Sequence, residues 1–145
     1  MRGIAWILLP LFLAGCPWPQ FGPNPPDPTP LPGVLGYGQA RARLVDTTQD
    51  GTLADGRRYR LYLWDNGLAE RRIGQGEVEL ARWEIVQASR EYGFHLCLNW
   101  TVVASGDRRT CLFAHQLPEG VRWHRAEDRA EFALVRTYLR GRRLE

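Results

Sequence analysis

Proline is the residue that most restricts this chain. It stands at Pro17, Pro19, Pro23, Pro25, Pro26, Pro28, Pro30 and Pro32, and beyond them only Pro118 follows. Each ring fixes φ and removes a backbone donor, so so dense a segment forms neither helix nor sheet. It runs instead as polyproline II at about 3.1 Å per residue, a reach of roughly 50 Å. The folding problem is thereby confined to residues 34–145, where the composition changes to that of one compact domain. A chain of that size buries roughly two-thirds of its unfolded surface and needs neither a metal nor many disulfides to fold. The expected organisation is a separate N-terminal stretch over 1–15, a tether over 16–33, and one domain over 34–145. Pro25-Pro26-Asp27-Pro28 also has the PxxP spacing that docks in aromatic-lined grooves, but a spacer is the simpler reading.

The stretch before the tether has its own grammar. Arg2 supplies a positive start, Ile4 to Leu13 an apolar run, and Leu13-Ala14-Gly15-Cys16 a small-residue exit into a cysteine. A membrane span needs about 20 apolar residues, so this run is too short, and Pro10 weakens it further as a helix. The order is that of an export signal, and with its cysteine it resembles the lipobox of bacterial lipoprotein signal peptides. The resemblance covers residues 1–16 only. It implies that 1–15 are removed, that Cys16 carries palmitate-type acyl chains on its thiol and its new amino group, and that the protein is lipid-anchored on the extracytoplasmic side of a bacterial membrane. Several chains on one residue anchor stably where one does not. Trp18 and Phe21 would then lie near the interface, which favours amphipathic aromatics. An ordinary secretory signal with a chance cysteine is the alternative.

All 19 basic residues are arginine, against 16 acids, for a net charge of +3. Mixed signs at so small a net charge do not make a nucleic-acid partner. Arg57-Arg58, Arg71-Arg72, Arg108-Arg109 and Arg142-Arg143 would form an anion patch only if the fold collected them on one face; scattered solvated charges are expected.

The domain reads mainly as strands. Phe94, Leu96, Leu98, Trp100 and Val102 alternate with His95, Cys97, Asn99, Thr101 and Val103, giving one apolar and one mixed face. Ser105-Gly106-Asp107 then turns the chain, and Thr110 to Leu117 returns as a partner strand. Arg58 to Trp64 alternates through Tyr59, Leu61 and Leu63 into Asp65-Asn66-Gly67, a tight-turn signal. Gln39 to Val45 alternates around Ala40, Ala42 and Leu44 and reads as a strand. In Glu77 to Gln87 the apolar parity slips between Leu80 and Trp83, which predicts a strand with a bulge at Ala81-Arg82; a helix ending at Gly93 is the alternative. From Glu127 to Gly141 acids precede arginines, the charge order of a helix, but its apolar stripe is poor and a strand is nearly as good a reading. The expected fold is mainly β, a small sandwich or barrel with at most one C-terminal helix.

Chemistry is sparse. His95 and Cys97 share a strand face, as do Cys111 and His115. If the hairpin register joins those faces, four side chains of a zinc-binding type meet, though not at finger spacing. With Cys16 lipidated and the chain exported, the expected outcome is instead a Cys97–Cys111 disulfide; free thiols and the metal set are the alternatives. Trp64, Trp83, Trp100 and Trp123 can line a sugar or peptide groove, but core packing is the simpler role, less so for Trp123 between Arg122 and His124. Ser89 and Ser105 lack a nucleophile elbow, no His-Glu-x-x-His occurs, and no Gly-rich phosphate loop joins a strand to a helix. Glu77 and Glu79 share a face and read as solvated acids. Asp46, Asp50 and Asp55 lack calcium-loop spacing and read as turn residues.

No catalytic residue and no cofactor is therefore assigned. The expectation is an anchored envelope binding or assembly module, its partners being the membrane through the lipid and an envelope protein or the cell wall. The alternatives are a periplasmic enzyme whose site the sequence does not reveal, and an inhibitor of an exported enzyme acting through the loop Ser105 to Arg109. A deep pocket with converging polar groups would favour an enzyme, and a flat aromatic or basic patch a binder.

Overall fold

The chain after the tether is built almost wholly of strands. The computed structural model describes residues 32–101 and 109–145. Eight strands follow in order: β1 (Thr47–Leu53), β2 (Arg58–Leu63), β3 (Leu68–Ile73), β4 (Val78–Gln87), β5 (Phe94–Trp100), β6 (Arg109–Leu117), β7 (Gly120–Arg125) and β8 (Glu131–Arg140). Each pairs antiparallel with the next, and β8 returns to β1, so the sheet closes into a barrel. Closure leaves no unpaired strand edge. The barrel, its core and its disulfide are all built from residues of 32–145. The signal segment, Cys16, the tether up to residue 31 and the turn at Ser105-Gly106-Asp107 lie outside the described residues.

Alternation in sequence becomes alternation between the barrel interior and solvent. Tyr59, Leu61 and Leu63 point inward from β2, and Phe94, Leu96, Leu98 and Trp100 from β5. The interior fills by setting small residues beside large ones. Ala114 and Ala133 flank Trp123 on the neighbouring strands, making room for its ring, which is 1% exposed and packs edge-on against Phe94. Trp123 is thus the most buried tryptophan of the four, despite its polar sequence neighbours.

Two bulges shape the closure. Between Asp50 and Gly51 the β1–β8 register shifts. A Cβ on Gly51 would lie 2.2 Å from the Leu134 carbonyl oxygen, so only glycine lets the strands approach there. On the β7–β8 side, Trp123 pairs with Ala133 but His124 with Glu131, leaving Phe132 as the extra residue.

The two ends of the barrel differ. One is plugged by α1 (Tyr37–Leu44), which buries Ala40 and Leu44 completely. The strand expected over Gln39 to Val45 is therefore a helix. Ala40 and Leu44 are four apart, one helical turn, and Ala42 is exposed. Gly36 opens the helix: its carbonyl accepts from the Ala40 amide at 2.9 Å. Arg41 lies over the Trp83 ring and Arg43 over Tyr138. The chain enters at this end, where the Gly33 carbonyl accepts from the Gln116 amide at 2.6 Å.

Two further expectations change. The C-terminal segment is strand β8, because Ala133 and Val135 complete the interior and the sheet needs an eighth strand to close. Segment β4 is a strand but carries no bulge at Ala81-Arg82; its pairing with β3 and β5 is regular. Ala81, Trp83 and Ile85 point inward together with Glu79, while Val78 and Leu80 stay exposed. The apparent slip in parity arises because a carboxylate faces the interior and two aliphatic residues face out.

Candidate functional site

The end opposite α1 holds a cavity of about 830 Å³. Its walls are the inward residues at the last turns of the strands, above all Leu53, Ile73, Trp100, Thr110 and Phe132, with Arg71 and Glu79 among them. The β7–β8 bulge helps place Phe132 here, edge-on against Tyr59 with ring centroids 5.4 Å apart. Eight strands make a barrel interior just wide enough for side chains or one small ligand, and the volume falls in the range of small-molecule sites.

Arg71 is the charged group of the interior. Its guanidinium lies over Trp100, 3.7 Å from the ring centroid, an attractive contact between a cation and a ring face. Its Nε and one Nη donate to Glu79 Oε2 at 2.8 and 2.6 Å. Both donors use the same edge of the guanidinium and the same carboxylate oxygen. Among the described residues the other Nη and Glu79 Oε1 make no hydrogen bond, so the pair offers a donor and an acceptor side by side. The Tyr59 hydroxyl and the indole nitrogen of Trp100 are buried with no hydrogen-bond partner among the described residues. Burial pushes the Tyr59 phenol pKa up, offset in part by the nearby Arg71 charge, so it remains a protonated donor.

The mouth carries matched charge. Arg57 pairs with Asp55 at 2.7 Å and Arg125 with Asp128 at 2.6 Å. The Asp55 carboxyl is held below its usual range chiefly by the Arg57 side chain, and that of Asp128 chiefly by the Ala130 amide. Glu77 and Glu131 add two more carboxylates. Among the described lining residues there is no histidine, cysteine or serine, and the only hydroxyls are those of Thr101 and Thr110.

The residues singled out from sequence lie elsewhere. Cys97 and Cys111 are directly opposite on β5 and β6 and are joined as a disulfide. Their sulfurs bind each other, so the four-ligand set of His95, Cys97, Cys111 and His115 has no thiolates to offer. No group of three or more His, Cys, Asp or Glu among the described residues is placed to hold a metal. His95 and His115 do share an outer face, and His124 joins them around Phe113. The Phe113 and His124 rings stack at 5.2 Å, and His115 lies 5.3 Å from His124. Burial lowers the pKa of His95 and of His115, the latter further through His124.

Of the arginine pairs, Arg58 meets Asp50, Arg109 meets Glu84 and Arg142 meets Glu70; Arg58, Arg60 and Arg72 gather beside the C-terminal Leu144 on the outer wall of β2 and β3, and Arg108 lies outside the described residues. Asp50 is a strand residue bridging Arg58 and Arg60 rather than a turn residue. Trp64 sits near the surface, edge-on to Tyr62, and Trp83 donates its indole N–H to the Trp64 carbonyl at 2.8 Å. Of the four tryptophans only Trp100 lines the cavity.

Sequence reasoning missed Arg71, Glu79 and Phe132 as site residues. One signal was present: Glu79 has the parity of Ala81 and Trp83, so accepting those two as core residues puts Glu79 inside. Comparison with protein-family models, with curated proteins and with solved structures returns no match to this chain.

Proposed function

We propose that the protein is a lipid-anchored lipoprotein of the bacterial envelope whose barrel binds one small ligand in its open end. The observation that carries the binding half is the cavity of about 830 Å³, apolar on most of its wall and furnished with an oriented Arg71–Glu79 pair. Preformed apolar space with a few fixed polar groups is what small-molecule recognition requires. The anchoring half rests on the lipobox resemblance over residues 1–16. Tethering would raise the effective concentration of the module near envelope components, so weak contacts suffice.

The pocket does contain polar groups, yet they favour holding over catalysis. Glu79 is engaged by a guanidinium instead of facing a second carboxyl, and neither threonine hydroxyl has a histidine within the described lining to activate it.

One purification tests the proposal. The full chain is isolated from membranes beside a Thr110→Trp variant, which fills the cavity, and small molecules released on denaturation are identified by mass spectrometry. A species retained by the parent chain and lost from the variant is the expected result. An identical profile from both proteins refutes a cavity ligand. A Cys16→Ser chain should leave the membrane fraction, and its persistence there through detergent-free washing would end the anchor assignment.

A further inference from the structure

Every arginine among the described residues of the cavity wall is already paired. Arg57 has Asp55, Arg71 has Glu79 and Arg125 has Asp128. Beyond these pairs the wall adds only carboxylates: Glu77, which has no ion-pair partner among the described residues, and Glu131, which is 3.7 Å from Arg122. Among the described residues, a ligand bearing a net negative charge would meet no unmatched cation and one uncompensated anion, Glu77. In a partly desolvated space, charge without a counter-charge is strongly disfavoured.

An uncharged group fits the same wall. The free Nη of Arg71 donates, the free oxygen of Glu79 accepts, and a hydroxyl or amide does both. Leu53, Ile73, Trp100 and Phe132 offer apolar area for a ring-sized body. We infer that the cavity selects an uncharged amphiphile, with an apolar ring-sized body and hydroxyl or amide groups, and rejects anions of the same shape. This rests on the cavity being a ligand site, as proposed above. It names the chemistry of the occupant, which the volume alone does not.

The test uses two dyes that differ by one group: N-phenyl-1-naphthylamine, which is uncharged, and its 8-sulfonate, which is anionic. Both are titrated by fluorescence into the full-length Cys16→Ser chain. The uncharged dye should bind at least tenfold more tightly. Octyl β-D-glucoside, below its micellar concentration, should displace it, whereas octyl sulfate should not. Two variants check the cause. Glu79→Gln leaves Arg71 unmatched and should shrink the preference for the uncharged dye to threefold or less. Asp55→Asn frees Arg57 at the exposed rim, where folding is not at risk, and should shift the ratio the same way by about twofold.

The outcomes separate the two ideas. Equal or tighter binding of the sulfonate by the parent protein overturns the charge selection while leaving the cavity as a site. Displacement by octyl sulfate as readily as by the glucoside does the same. Binding of neither dye, or binding unaffected by Thr110→Trp, overturns the ligand cavity itself and this inference with it.

Discussion

The two ends of this barrel are made from the same alternating strands and serve opposite purposes. At the α1 end Leu44, Leu63, Phe94 and Leu96 are completely buried, and Gly93 is pressed so close that a Cβ there would lie 2.1 Å from the Leu35 carbonyl oxygen. At the other end the inward positions hold Arg71, Glu79 and Thr110 around open space. Stability is concentrated at the closed end and recognition at the open one. A barrel can keep a ligand cavity because it does not need every turn of its interior to fill.

Truncation at each end gives the strongest contrast. Leu44→Ala leaves a sealed void and should destabilise by about 3–5 kcal/mol. Leu53→Ala removes atoms that already border open space, so only the transfer part remains, roughly 2 kcal/mol or less. Chemical denaturation of both variants decides it; a larger loss at Leu53 would mean that the open end is packed in solution.

The next effect is shared by both ends. The Cys97–Cys111 bond spans 14 residues of sequence, and a loop of about that size contributes roughly 3 kcal/mol in the chain-entropy model. Cys97→Ser with Cys111→Ser should lower stability by that amount without emptying or filling the cavity. Thiol labelling of the denatured parent protein should require reductant, and labelling without it would remove the staple. His95→Ala and His115→Ala should leave the bond intact.

Smaller still are the ion pairs of the open end. Glu79→Gln keeps an amide oxygen to accept but removes the charge that balances a buried guanidinium, and should cost about 1–3 kcal/mol. Asp55→Asn breaks a pair in full contact with solvent and should leave the unfolding curve in place. Similar losses from the two would remove the distinction drawn between cavity wall and rim.

The smallest expected effect is a pH dependence on the outer wall. His95 and His115 have folded-state pKa values below the ordinary 6.5. The unfolded chain therefore binds protons first as pH falls. The contribution of these two groups is complete above 6.5 and is lost as pH drops through their folded values. His115→Gln should flatten that part of the stability profile. An unchanged slope below pH 6.5 in the double variant with His95→Gln would show that the cluster titrates as free imidazoles.

The sheet was legible where alternation ran unbroken. Phe94 to Trp100 announced its buried face, and Cys97 and Cys111 their pairing, because a period of two assigns side chains to faces without knowledge of the fold. Gln39 to Val45 misled because Ala40 and Leu44, four apart, satisfy both a strand and a helix, and only the barrel end to be plugged decides between them. The site was hidden for a related reason. Arg71 and Glu79 face the interior, where each makes the other tolerable, and the pairing comes from β3 lying against β4 instead of from any local motif. Phe132 reached the cavity through a bulge, which no periodicity announces.

The entry of the chain at the closed end gives the module a polarity. Gly33 and Val34 join the barrel beside Gln116 and His115, at the foot of β6, while the cavity opens beyond its first residues. Strands of this length rise roughly 20 Å. The segment before Pro32 therefore joins the barrel at its plugged base, and the mouth of the cavity lies at the opposite end from that junction.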